Sequence, residues 1–118
     1  MILIADSGST KCDWILYKTE NEKPIKIRTK GLNPAMLSKK ALEKIIGNSL
    51  ELTNYKHSVT SIHFFGAGCG IEKNQKKINR ILTSFFENAT ATTKEDIMAA
   101  VYATTTLPAV VCILGTGS

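Results

Sequence analysis

The chain has 118 residues, 43% of them apolar and 21% charged, and carries a net charge of +5. That length suits one domain with its own core, and no apolar stretch approaches the roughly 20 residues of a membrane-spanning helix. Cys12, Cys69 and Cys112 are odd in number and form no C-x-x-C pair, which argues against a disulfide framework or a zinc site and for a reducing cytoplasm.

The chain opens on Ile2-Leu3-Ile4-Ala5, an apolar run that is short and goes straight into a polar turn, so it predicts a buried strand and not a signal peptide. Residues 12–17 predict the return strand of a hairpin, with Asp6-Ser7-Gly8-Ser9-Thr10-Lys11 as the loop. After a polar turn containing Pro24, residues 25–29 alternate apolar and polar and predict a half-exposed third strand. Gly31-Leu32-Asn33-Pro34 breaks the pattern, since Asn-Pro favours a turn.

Ser38 suits the N-cap of a helix in which Leu42, Ile45, Ile46 and Leu50 recur near helical spacing. Gly47 weakens that helix by about 1 kcal/mol relative to Ala and suggests close packing against a sheet. Residues 61–65 predict a fourth strand, followed by a tight loop, Gly66-Ala67-Gly68-Cys69-Gly70. Ile78, Ile81, Leu82 and Phe85 mark the apolar face of a second helix. Residues 89–93 predict a short strand, and a third helix starts near Asp96 and runs to Tyr102. Leu107-Pro108 leads to a last strand over 110–114. Trp14, Phe64, Phe65, Phe85 and Phe86 are expected in the core. His57 and His63 are expected to be structural or on the surface.

This order predicts an α/β fold, a mixed β-sheet with helices on both faces in the ribonuclease H-like arrangement. The positive charge reads as solvated helix faces around Lys39, Lys40, Lys73, Lys76 and Lys77. No aromatic residues interleave with them to stack on bases, so neither a nucleic acid nor a membrane is an expected partner.

The first loop has more than turn chemistry. Small residues let the backbone approach a ligand, and their N–H and hydroxyl groups can point at phosphate oxygens. An Asp at a strand end suits a hydrated Mg²⁺. A second strand runs into a similar loop, Gly115-Thr116-Gly117-Ser118. Neither loop is a Walker A box or a dinucleotide turn. Two such loops, each at a strand end, suggest a site that grips phosphates from two sides.

The pair ADSGSTKCDW and CILGTGS resembles the two phosphate loops of the sugar-kinase, heat-shock-chaperone and actin superfamily. Within it, the chain looks like the N-acetylglucosamine kinase-like group, classed with the benzoyl-CoA reductase activator-type (BadF/BcrA) ATPases. The turn at Gly31-Leu32-Asn33-Pro34 and the loop at Phe65-Gly66-Ala67-Gly68-Cys69-Gly70 fit that group in the same order.

The resemblance implies an actin-like ATPase domain. It makes residues 1–118 the N-terminal lobe of a two-lobe enzyme whose adenosine-binding half is absent from this chain. The implied activity is ATP-dependent transfer of a phosphoryl group to a sugar hydroxyl, of N-acetylglucosamine or a related hexosamine, with ATP and Mg²⁺. Asp6 would orient water on the metal. Gly8, Ser9, Thr10 and Lys11 would meet the phosphates, with Gly115, Thr116 and Gly117 opposite. Asn33 and the loop of Ala67, Gly68 and Cys69 would face the sugar. Asp96 would be the catalytic base, taking the hydroxyl proton as the oxygen attacks in line. On the residues alone, Asp96 reads first as a partner for a helix dipole, and Asn33 serves equally as a turn former. Glu95 is expected to point to solvent.

The alternative within the same group is an ATPase that activates a partner reductase or dehydratase; a homodimer of the full-length chain is left open. A nuclease on the same core would need several carboxylates converging on two metals. Gly66, Ala67 and Gly68 stand where one of those acids would be required.

Overall fold

The structure, a computed structural model, describes residues 1–18 and 23–95. Three antiparallel strands come first: β1 (Ile2–Ser7), β2 (Lys11–Tyr17) and β3 (Ile25–Lys30). Helices α1 (Lys39–Gly47) and α2 (Leu50–Asn54) lead to β4 (Ser61–Gly66). Helix α3 (Glu72–Phe85) leads to β5 (Thr90–Glu95). The five strands form one sheet in the order β3-β2-β1-β4-β5, with β1, β4 and β5 mutually parallel.

Burial follows from that order. Strand β1 lies between β2 and β4, and Leu3, Ile4 and Ala5 are buried, so its run reads as continuously apolar. Strand β3 lies at the edge and keeps the alternation expected of it. Ile27 points into the core while Lys26 and Arg28 are exposed, charges that also discourage pairing by another chain.

One face of the sheet carries Leu3, Ala5, Trp14, Leu16, Ile27, Ile62 and Phe64, and all three described helices pack on it through Leu42, Ile46, Leu52, Ile78, Ile81 and Leu82. Trp14 meets Phe64 edge to face at 6.1 Å, and its Nε1 donates to Thr29 Oγ1 at 3.0 Å. The expected core aromatics Trp14, Phe64, Phe65 and Phe86 are buried, and Phe85 is partly so. On the second face, burial lowers the pKa of the half-buried His63 from its usual value, so its ring is neutral at pH 7. The helix expected over 96–102 and the strand expected over 110–114 lie outside the described residues.

Four local expectations change. The hairpin loop is shorter than the sequence suggests, because Asp6, Ser7 and Lys11 belong to the strands. The fifth strand is shifted one residue forward and runs two residues further. The helix expected to carry Leu50 on its buried face stops at Gly47. The Leu52 N–H donates to the Ser49 hydroxyl, which caps a new helix, so the turn is reset. Leu52 is now buried and Leu50 is 79% exposed. Gly47 packs against nothing: a Cβ there would meet no atom within 4 Å. It ends a helix and permits no close approach. The Ser38 cap is as expected, its Oγ accepting the Ala41 N–H at 3.2 Å.

Phe64 is fully buried at the centre of the helical face. Replacing it with Ala should cost about 3–5 kcal/mol. Urea unfolding should show a lower midpoint with an unchanged slope. A shift of under about 1 kcal/mol would mean that this face is not the main core.

Candidate functional site

Parallel strands share their carboxyl ends, and in open α/β sheets ligands bind in the crevice outside those ends. Here the register sets Ser7 beside Gly66 and Gly66 beside Glu95, so β1, β4 and β5 finish at one level. The hairpin loop at 8–10, the loop after β3 and the loop after β4 all leave from this end of the sheet.

Ser7 ties the three together. Its side chain is fully buried. Its Oγ accepts the Leu32 N–H at 2.8 Å, and its carbonyl accepts the Ala67 N–H at 2.9 Å. The Gly31 N–H also donates to the Thr10 carbonyl, at 3.1 Å. Gly31 lies so close to the hairpin that a side chain there would strike the Gly8 carbonyl oxygen and the Ser9 backbone. Behind Ser7, burial pushes the Cys12 thiol well above its ordinary pKa, partly offset by a hydrogen bond from Ser7, so the thiol stays protonated.

The residues expected to meet phosphate divide by geometry. Ser9, Thr10 and Lys11 are exposed on the hairpin. The Gly8 amide, expected among the phosphate donors, instead donates to the Lys11 carbonyl at 2.8 Å and closes the turn. Asp6 is half-buried on the second face of the sheet, opposite Asp13 in register. Asp13 in turn pairs with Arg28 at 2.8 Å. No group of three or more His, Cys, Asp or Glu side chains gathers around a metal position among the described residues. A carboxylate at a strand end does suit Mg²⁺, which keeps its waters and is held largely through substrate phosphates.

The residues expected to face a sugar come together. Gly68 has φ +81°, a conformation that side chains rarely adopt. A Cβ at Gly68 would run into the Asn33 Oδ1. That oxygen also accepts the Ala35 N–H at 2.9 Å, so Asn33 shapes its own turn while lying against the second loop. Ala67 is partly exposed beside them. Cys69, expected to face the sugar, is instead fully buried: its thiol lies in the core, its N–H donates to the Gly66 carbonyl at 3.3 Å and its carbonyl accepts from Gln75. Glu95 is exposed as expected, yet its carboxylate lies against Gly70. Asp96, Gly115, Thr116 and Gly117 lie outside the described residues.

Sequence reasoning missed two features here. Ser7 reads as one more loop hydroxyl, although it is the buried anchor. Lys77 reads as part of a solvated helix face, but it is half-buried and its Nζ donates to the carbonyls of Pro34 and Leu37.

No protein-family model and no curated relative matches the chain. Among solved structures, a protein of Porphyromonas gingivalis described as a "putative N-acetylglucosamine kinase" matches with a TM-score of 0.75 and 28% identity over 87% of this chain. Over that span the chain is similar in fold and sequence to this protein. It spans 37% of the length of that neighbour. The mixed five-stranded sheet is that of the actin-like ATPase fold, and the three loops described above leave from one end of it.

Ser7→Ala should leave the buried Leu32 N–H without an acceptor and cost about 1–3 kcal/mol in urea unfolding. Amide exchange at Leu32 should rise more than exchange in β2. Equal protection of Leu32 in both proteins would show that the hydroxyl is not the anchor.

Proposed function

We propose that the chain is the phosphate- and sugar-gripping lobe of an ATP-dependent kinase that acts on a sugar hydroxyl, with N-acetylglucosamine or a related hexosamine as acceptor. The observation that carries this reading is the convergence of the hairpin loop, the Asn33 turn and the Gly68 loop at one end of the sheet, joined through Ser7. The likeness to a kinase-like structure supports it.

In this reading the exposed Ser9 and Thr10 hydroxyls and the Lys11 ammonium hold the phosphate tail and offset its charge. Asp6 orients water on the metal. Bound Mg²⁺ would neutralise charge on the transferring phosphoryl group. Asn33 and the turn at Ala67 and Gly68 bind the sugar, the amide of Asn33 being able to donate to a hydroxyl. Asp96 accepts the proton from that hydroxyl. Phosphoryl transfer asks a protein mainly for positioning and charge stabilisation, which a rigid platform of loops supplies. A second lobe contributes the adenosine-binding half, and the cytoplasm is the compartment. The buried Cys69 thiol is poorly placed to ligate a cluster, so the activator-type ATPase stays the second reading.

Full-length protein given ATP, Mg²⁺ and a panel of amino sugars should release ADP with N-acetylglucosamine or a close relative. Asp96→Asn should lower kcat about 10²–10⁴-fold with ATP binding retained. Intact ATP binding without turnover on any hexose would remove the kinase reading.

A further inference from the structure

Helix α3 begins directly after the 67–71 loop, so its first turns lie beside that loop. Asn74 is only 8% exposed, and its Nδ2 donates to the Gly68 carbonyl at 2.9 Å. Gln75 Nε2 donates to the Cys69 carbonyl at 2.8 Å. Three residues beyond Asn74, and therefore on the same side of the helix, Lys77 reaches the other loop. Its Nζ donates to the Pro34 carbonyl at 3.1 Å and the Leu37 carbonyl at 2.8 Å. One helix thus holds both loops that meet at Asn33 and Gly68.

These contacts run against the local electrostatics. Lys77 lies in a cluster with Lys39, Lys73, Lys76 and Arg80 around a cavity of about 330 Å³. Of these cations, Lys76 pairs with Glu72 at 3.1 Å. A free lysine in such company would swing outward into water, away from like charges. Two charge-assisted bonds to carbonyl oxygens outweigh that tendency and hold it inward. The Gly68 peptide has a similar need. Glycine is free to reorient, and the Asn74 amide fixes the carbonyl that a left-handed residue presents.

We propose that Asn74 and Lys77 are positioning residues. From a single helix they set the separation of the Asn33 turn and the Gly68 turn, and through it the affinity for the acceptor sugar. This inference rests on the sugar-kinase reading. Neither residue touches the acceptor; Lys77 acts on Asn33 through the 34–37 backbone, and Asn74 acts through the Gly68 peptide.

The test uses the full-length protein with Lys77→Met, which keeps the apolar stem and removes the ammonium, with Asn74→Ala, and with Lys77→Arg. Without any ligand, amide hydrogen exchange at Ala35, Met36 and Leu37 should quicken about tenfold in Lys77→Met, with exchange in β1 and β2 unchanged. In steady-state kinetics both Lys77→Met and Asn74→Ala should raise the sugar KM about tenfold, with the KM for ATP unchanged. Lys77→Arg, which can still donate to both carbonyls, should restore most of the sugar affinity.

A purely structural role would instead lower Tm and the active fraction, with both KM values intact, and would overturn the proposal. So would unchanged exchange in the 35–37 segment, or equal rises in the two KM values. A wild-type enzyme that binds ATP but phosphorylates no sugar would overturn the kinase reading, and with it the link to sugar affinity. The exchange arm would then decide the clamp by itself.

Discussion

The site depends on one buried hydroxyl. Ser7 ends β1, the central strand, and is the point where the sheet stops being core and becomes a platform. Its Oγ and its carbonyl oxygen each take an N–H from a different loop, Leu32 and Ala67. Both amides are drawn close to the sheet end, where an unpaired backbone donor away from water would be costly. A larger apolar residue at this position would bury the site and leave the Leu32 amide without its partner. The serine therefore reconciles a dry core below with three polar loops above.

Close approach follows from that bond. Once Leu32 is held by Ser7, Gly31 must pass over the hairpin, where its neighbours leave no room for a side chain. The hairpin is in turn braced from inside by the Gly8 amide and from outside by the Gly31 amide. Ser9 and Thr10 are left exposed on a backbone whose own hydrogen bonds hold it in shape. That is the condition under which hydroxyls can meet a phosphate without reorganising first. On the far side of the candidate site, the Asn33 oxygen shapes its own turn and lies against Gly68, so these two turns brace each other.

Much of the fold was legible because burial imposes its period on the residues. Leu3, Ile4 and Ala5 are buried in the central strand, and the alternation from Ile25 belongs to an edge. Ser38 was readable as a cap because capping is a contact with the next turn. Ser49 has the same chemistry and was overlooked, since Leu50 continued the helical spacing across it. The cap took precedence over the spacing and turned Leu50 to solvent. The candidate site was proposed from residue types, Gly, Ser, Thr, Asn and Asp at strand ends, and from the family resemblance.

What the amino-acid sequence by itself determined is the set of strands, the helix starts and the loops that carry chemistry, because each rests on contacts among near neighbours. Tertiary structure alone decided which of those polar groups stay exposed and which are used within the protein. The Leu32 N–H held by Ser7 Oγ lies 25 residues away, and the carbonyls held by Lys77 Nζ lie 43 and 40 residues away. No local period or cap encodes such a distance. A buried serine and a solvated one, or a clamping lysine and a free one, are the same letters until the sheet brings the ends of its strands together.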